Sequence, residues 1–319
     1  MAGEFAFIDA LRAIATAPGA RALTDDAAVL SIGGETLVLT LDTLVEGVHY
    51  LAGDPAGDVA WKLVAVNVSD LSAKGATPLG CLYSHALGED DWDRAFLAGL
   101  DAACRDFAIP LLGGDTVRMP DGSARSFSLT ALGTGRKDCV VPCRTAARVG
   151  DRVWVSGTIG DAGLGLAAAS GTLDGLAAHV AALAARYRRP MPDPRFGAAL
   201  APLVHAMMDV SDGLLVDAGR IAQASGVGIT LNAEAVPLSH ALRAVAGGSL
   251  EARLAAMTAG DDYELLFTAP PGHTALIREA ARALGRQVTA IGTVGEGSGL
   301  SLLHEGRPVP LPERLGYQH

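Results

Sequence analysis

Seven short stretches set acidic residues beside glycine, serine or threonine. They are Thr24-Asp25-Asp26, Thr40-Leu41-Asp42-Thr43, Asn67-Val68-Ser69-Asp70, Gly113-Gly114-Asp115-Thr116, Gly160-Asp161, Asp209-Val210-Ser211-Asp212-Gly213 and Gly260-Asp261-Asp262-Tyr263-Glu264. Most lie at the ends of apolar runs, so folding is expected to gather several of them at one edge of a core. Two carboxylates in close contact repel by about 4 kcal/mol at a surface-like dielectric, so a cation belongs among them. Taken singly, Asp-Asp before a strand or Asp-Gly at a turn is ordinary turn chemistry. Taken together, the stretches point to a divalent metal held by oxygen, and magnesium suits such ligands. Zinc does not. The eight histidines form no His-x-x-x-His pair, and Cys139 and Cys143 lack a second Cys or His pair.

Hard metals suit phosphoryl transfer, in which positioning and charge neutralisation supply most of the catalysis. The chain has only three lysines, Lys62, Lys74 and Lys137, and none follows glycine in a phosphate-loop pattern. Any nucleotide would therefore be held through metals and arginines. No Ser-His-Asp order or nucleophile elbow is present, and Cys81 and Cys104 lie in apolar stretches that read as core. The competing reading is a non-catalytic acidic protein whose metal serves stability alone.

The elements that must position these acids can be read in outline. Residues 27–31 and 36–41 are apolar runs separated by Ile32-Gly33-Gly34-Glu35, a hairpin signal. With Gly33-Gly34 as the turn, opposite residues sum to 67, so Asp25 is expected to face Asp42 and Asp26 to face Leu41. Val59, Leu63, Val66 and Asp70 recur at helical spacing. Asp70 thus continues an apolar stripe, and a bare carboxylate there requires a partner. Residues 80–86 and 127–133 read as strands with a helix over 91–107 between them, and Asp115 and Asp209 read as strand-terminal.

The polar, basic stretch 136–150, broken by Pro142, reads as a domain boundary. Beyond it come a strand over 152–156, the Gly157-Thr158-Ile159-Gly160 turn and a helix over 164–170. That turn reads as a tight strand-to-helix connection in preference to a dinucleotide-type loop. A strand over 203–208 ends in Asp209. Ser211 or Asp212 is expected to cap a helix running to Ala224 and stopped by Gly226, with free N–H groups that favour phosphate. Residues 264–268 and 288–291 read as later strands. The fold class is α/β or α+β in two domains.

Bulk composition narrows the partners. The chain has 319 residues, half of them hydrophobic, and a net charge of -10. It lacks the clustered cations of a nucleic-acid surface and any apolar run near the ~20 residues of a membrane span. Glu4 and Asp9 stand where a signal peptide would be basic. The four cysteines form no disulfide framework and read as reduced thiols. A cytoplasmic location is expected, with no nucleic-acid or membrane partner.

The ordered series Asp25-Asp26, Asp42-Thr43 with His49, Asn67-x-Ser69-Asp70-Leu71, Gly113-Gly114-Asp115-Thr116, Asp209-x-Ser211-Asp212-Gly213-Leu214 and Asp262-Tyr263-Glu264-Leu265 resembles the thiamine-monophosphate kinases. No single motif is specific; the ordered set is, and it runs over nearly the whole chain to Gly316-Tyr317. The family belongs with aminoimidazole ribonucleotide synthetase, selenophosphate synthetase and a hydrogenase-maturation dehydratase. The resemblance implies ATP-dependent phosphorylation of thiamine monophosphate to thiamine diphosphate with several Mg2+ ions. It also implies a two-domain aminoimidazole-ribonucleotide-synthetase-like fold. Residues 1–137 would bind ATP and metal and pair in a homodimer through their mixed sheet, and residues 138–319 would form an α/β domain that completes the cleft.

By the same resemblance, Asp26, Thr40, Asp42, Thr43, Asp70, Asp115, Asp209 and Asp212 hold or orient metal, with Asp42, Asp70, Asp115 and Asp212 central to catalysis. Gly114, Asp115, Arg144 and Ser211 contact ATP, while His49, Asp261 and Tyr317 contact the thiamine substrate. The first-domain acids would face Asp209 and Asp212 across a cleft, with Asp161 outside the site. The acceptor phosphate monoester has a second pKa near ~6, so direct in-line transfer requires no general base. Several features depart from the family pattern. Thr24 replaces glycine, Leu41 a small hydroxyl residue and Asp261 a glutamate, and the sequence ends at His319, where many relatives continue with another aromatic residue. The rivals within the superfamily fit less well: no reactive cysteine or lysine lies near the N-terminus, no cysteine closes the chain, and aminoimidazole ribonucleotide synthetase matches fewer motifs.

Overall fold

The computed structural model describes residues 4–120 and 122–317, so Gln318-His319 lie outside the described residues. The first unit runs α1 (Glu4–Arg12), β1 (Ala28–Ile32), β2 (Glu35–Val45), α2 (Ala56–Ala73), β3 (Thr77–Leu87), α3 (Asp90–Asp106), β4 (Leu111–Arg118) and β5 (Ser126–Thr134). Its five strands form one mixed sheet in the order β1-β2-β5-β3-β4, parallel only between β3 and β4.

The hairpin has the expected register. Ile32 pairs with Glu35 and Ala28 with Leu39, each pair summing to 67. Gly33 and Gly34 have φ of 61° and 86°, the left-handed pair that a two-residue turn with matching strand twist demands. The ladder ends at Ala28, however. Asp25 and Asp26 do not continue it opposite Asp42 and Leu41, because their carboxylates turn to the buried ammonium of Lys74. β2 instead runs on to Val45 beside β5.

α2 is apolar nearly all round and buried on nearly every side, as a helix held between two layers must be. One side packs on β2 and β5, and another meets α6 (Pro194–Leu200) and β7 (Ala206–Asp209) of the second unit. Leu63, Val64, Val68 and Leu71 are fully buried, each stabilising the fold by about 1.5–3 kcal/mol. α2 is thus shared by both units, and an acid near its C-terminal end lies where they meet.

In the second unit β6 (Arg152–Ser156), α4 (Asp161–Ala169) and α5 (Ala177–Arg188) precede α6 and β7. Then follow α7 (Leu214–Ser225), β8 (Gly228–Asn232), α8 (His240–Ala246), α9 (Leu250–Thr258), β9 (Leu265–Ala269), α10 (Thr274–Ala283), β10 (Val288–Gly295), β11 (Gly299–His304) and β12 (Arg307–Val309). Seven strands form a second mixed sheet, β12-β11-β8-β10-β6-β9-β7. Antiparallel pairing sets Asp209, the last residue of β7, beside Leu265, the first of β9. The segments 210–213 and 259–264 therefore emerge together at one sheet edge, facing α2. Among the described residues no helix is long and apolar enough to cross a membrane.

Candidate active site

Three carboxylates from distant parts of the chain converge. Asp26 precedes β1, Asp70 lies on α2 and Asp209 ends β7, and one oxygen of each lies within 4.8 Å of the others. The Asn67-Val68-Ser69-Asp70 turn of α2 organises the group. Asn67 accepts from the Asp42 backbone N–H at 3.2 Å and donates to the Leu63 carbonyl at 2.9 Å. The Ser69 hydroxyl donates to Asp209 at 2.6 Å. Thr40 of β2 donates to Asp70 and lies 3.3 Å from the Asp26 carbonyl.

Cations flank the cluster on one side. Lys74, fully buried just beyond α2, pairs with Asp25, and its Nζ lies 2.8 Å from Asp26 Oδ2 without the alignment of a hydrogen bond. Arg144 pairs with the other Asp26 oxygen. Arg21 pairs with Asp25 and donates to the Val141 and Pro142 carbonyls, fastening this segment to the connection between the units. Arg220 of α7 bridges Asp212 at 2.6 Å and Asp217 at 2.7 Å.

These surroundings divide the acids. Burial raises the Asp26 carboxyl, but Lys74 and Arg144 outweigh it and hold the group below the usual carboxylate range. Asp70 stands well above that range through burial, then through the charges of Asp42, Asp209 and Asp26. Burial and Asp26 push Asp209 up to about 8, against the Ser69 hydrogen bond. Burial, Asp26 and Asp212 push Asp42 up to about 6. Asp70, Asp209 and Asp42 thus resist ionising together. A set of convergent, mutually repelling hard oxygens fits a divalent cation that keeps some water and shares phosphate oxygens.

The other expected residues divide between this focus and other places. Thr40 and Asp42 share one face of β2, but alternation puts Thr43 on the opposite face, where its hydroxyl meets Ser128 at 2.8 Å. Thr43 therefore does not present its side chain to the cluster. Leu41 shares that outer face and is exposed, so its lack of a hydroxyl leaves the cluster unaltered.

Asp115 is not strand-terminal. It lies within edge strand β4, in register with Ser84, which pairs with Ser128, which pairs with Thr43. Three strand spacings put it roughly 14 Å from β2, so within one chain it is apart from Asp26, Asp70 and Asp209. The backbones of β3 and β4 nearly touch at Gly114, where a Cβ would lie 1.9 Å from the Tyr83 carbonyl oxygen.

On the second unit, Asp212 joins through charge and through Arg220. Neither it nor Ser211 caps α7: Gly213 holds that position, and the Asp217 carboxylate accepts from the N–H groups of Asp212 and Gly213, both at 3.2 Å. The helix start is thus partly satisfied internally. The Ser211 carbonyl accepts from the Asp261 N–H at 2.7 Å, and the Asp212 carbonyl accepts from the Tyr317 N–H at 2.9 Å. His49 accepts at Nδ1 from the Val45 N–H at 3.0 Å. Asp262 accepts from the Gly160 and Ala162 N–H groups at the start of α4, so the Gly157-Thr158-Ile159-Gly160 turn is a strand-to-helix connection with its donors occupied. Asp161 accepts from Thr158 and Ser239, away from the cluster.

Sequence reasoning passed over Lys62, Lys74, Arg220 and Asp217. Lys62 and Lys74 had a signal, since each interrupts or closes an otherwise apolar helix and so requires an acidic partner. A cavity of about 600 Å³ lies elsewhere, between α4, α5 and α8. Its charges are spent on one another: Arg186 and Arg286 pair with Glu264.

Residues 24–136 match the family model "AIR synthase related protein, N-terminal domain", and residues 148–305 match its C-terminal counterpart. The thiamine-monophosphate kinase of Caulobacter vibrioides is 40% identical over 312 residues, covering 95% of this chain and 86% of the relative. The crystal structure of thiamine-monophosphate kinase from Stenotrophomonas maltophilia K279a superposes with a TM-score of 0.79 at 40% identity, covering 89% of this chain and 90% of that one. The structure of AaThiL complexed with AMPPCP and TMP superposes with a TM-score of 0.84 at 32% identity, covering 99% and 97%.

Proposed function

This chain belongs to the thiamine-monophosphate kinase family of AIR synthase related proteins, and we propose that it phosphorylates thiamine monophosphate to thiamine diphosphate with ATP. The observation that carries this reading is the meeting of Asp26, Asp70 and Asp209, drawn from both units around the buried helix α2. The family relationship supplies the substrates, and a relative bound to AMPPCP and TMP supports the pair.

Several Mg2+ ions are part of the proposal. Asp26, Asp70 and Asp209 would hold one, and Asp42 and Asp212 lie close enough to perturb the same charge balance. When bound, the metal would neutralise phosphate charge. The chain's own residues supply the rest. Ser69 and Thr40 hold Asp209 and Asp70 in place, while Arg144 carries a fixed positive charge at the junction of the units. His49, Asp261 and Tyr317 are proposed to contact the thiamine moiety, and Gly114, Asp115 and Ser211 the nucleotide. Transfer is proposed to be direct and in line, since a largely dianionic acceptor needs positioning and charge relief more than a base.

We further propose two domains, residues 1–137 and 138–319, and a homodimer formed through the first sheet. All eight residues of β4 are exposed, and Leu79, Leu82, Leu111, Leu112 and Val117 make that edge apolar. Such an edge invites pairing unless covered, and a second copy would cover it together with Asp115. ATP supply and the biosynthetic reaction fit the cytoplasm. The test is a turnover assay with ATP, Mg2+ and thiamine monophosphate, run beside aminoimidazole precursors. Thiamine diphosphate formation supports the kinase; turnover of the aminoimidazole precursor alone would replace it with the sister activity.

A further inference from the structure

Lys62 sits in the middle of α2 with buried Val59, Ala60, Trp61, Leu63 and Val64 around it, and its side chain is only 2% exposed. Its ammonium has three partners. It donates to Asp261 Oδ2 at 2.8 Å and to the His49 carbonyl at 3.0 Å, and it lies 4.0 Å from the centre of the Tyr187 ring. His49 follows β2 in the first unit, whereas Asp261 and Tyr187 belong to the second. One buried charge therefore ties together a residue from each side of the junction.

Both of those residues are held on their remaining sides. His49 accepts at Nδ1 from the Val45 N–H, which leaves the ring proton on Nε2. The Asp261 Oδ1 atom accepts from the Tyr263 hydroxyl at 3.1 Å, and the Asp261 N–H is bonded to Ser211. Asp261 has φ of 70° and Tyr263 of 51°, strained positions that persist only where the surroundings over-determine them. A buried ion pair gives no necessary gain in stability over apolar residues of the same volume. The lysine is better explained by what it aligns.

We propose that Lys62 is a positioning residue for the acceptor: it sets the spacing of His49 and Asp261 across the two units, and so governs binding of the thiamine moiety rather than of ATP. This rests on the kinase reading, in which those two residues face the organic part of the acceptor. The Lys62 ammonium is engaged by Asp261 and His49, whereas Asp26 is partnered by Lys74 and Arg144, Asp70 by Thr40 and Asp209 by Ser69, so removing Lys62 leaves the metal-binding acids with their own partners.

Steady-state kinetics on the full-length protein separate the possibilities. Lys62→Met is expected to raise KM for thiamine monophosphate by about tenfold, the scale of a lost hydrogen bond to a charged group, with kcat and KM for ATP little changed. Asp261→Asn is expected to do the same, and the double variant to be no worse than the poorer single one. A variant with unaltered KM for thiamine monophosphate, or with additive effects in the double variant, would overturn the assignment. So would equal damage to both substrates together with a lowered Tm, since that is a folding role. If Lys62→Met does not fold, Lys62→Gln, which keeps a neutral donor, carries the comparison with a smaller rise in KM for thiamine monophosphate expected. No thiamine diphosphate from the unaltered chain would sink the kinase reading itself, and that control tells the two failures apart.

Discussion

The Ser69 hydroxyl donates a 2.6 Å hydrogen bond to Asp209, joining the helix at the centre of the first unit to a strand end of the second. This bond places an oxygen of the β7 acid within 4.8 Å of oxygens of Asp26 and Asp70. The candidate metal site is therefore part of the docking of the two units. Either unit alone carries an incomplete ligand set.

Asp209→Asn tests that relationship. Burial already pushes Asp209 up to about 8, so asparagine imitates a protonated form that the metal-free fold accepts, and it can still accept from Ser69. Turnover is expected to fall by about 10²–10³-fold, the scale of one lost electrostatic contact to developing charge, with Tm nearly constant. Full activity in this variant would remove Asp209 from the site.

Stability of the metal-free protein should fall as pH rises. Asp42 is pushed up to about 6, Asp217 to about 7 and Asp209 to about 8. Each binds a proton in the folded chain at pH values where the unfolded chain has lost it, so ∂ΔG/∂pH is negative between about 4 and 8. Asp26, held low, works in the opposite sense, but only at and below the ordinary carboxylate value of 3.8. Melting in a chelator at pH 5, 6.5 and 8 should give a descending Tm series. A rising series across that range would contradict the assigned environments.

Metal binding should reverse that trend and expel protons. Asp70, well above the carboxylate range, and Asp209 must both ionise to serve as ligands. Mg2+ titration in weak buffer near pH 6.5 is expected to acidify the solution, and affinity is expected to rise with pH. Asp70→Asn should remove the share of the proton release that Asp70 supplies and leave that of Asp209. Binding with no proton release would place the metal elsewhere.

Much of this arrangement was legible before folding. The Gly33-Gly34 turn dictated the register of β1 and β2, and the stripe through Val59, Leu63 and Val66 revealed that Asp70 lies on a buried face. Local rules failed where a distant group competed. The register predicts Asp25 opposite Asp42, but Lys74, some fifty residues along, takes Asp25 away. Ser211 and Asp212 have the composition of a helix cap, yet Asp217 one turn into α7 performs part of that task from inside. Asp115 reads as strand-terminal because Gly113-Gly114 looks like the end of an apolar run, yet β4 continues to Arg118; the close approach to Tyr83 makes glycine a strand residue there.

Leu112→Glu tests the exposed edge. Leu112 is 59% exposed on β4, so glutamate costs the single chain little, whereas burial against a second copy would set two like charges together. Sedimentation is expected to show a dimer for the unaltered chain and a monomer for the variant. A dimer that survives the substitution would move the interface away from β4.

Lys74→Met tests how the acidic site is balanced. Lys74 is fully buried, with Asp25 and Asp26 on its ammonium and the Met207 carbonyl at 3.3 Å. Methionine keeps the volume and removes the charge, leaving Asp25 with Arg21 and Asp26 with Arg144 as their remaining cations. Breaking a buried pair in this way costs about 3–5 kcal/mol. The loss should be partly restored by Mg2+, which binds the same carboxylates and stabilises the folded state by mass action. Chemical denaturation with and without Mg2+ reads both effects. A larger metal-dependent gain in Lys74→Met than in the unaltered chain would mean that the lysine and the metal neutralise the same acids. An equal gain in both would mean that Lys74 serves Asp25 alone and that Asp26 belongs wholly to the metal.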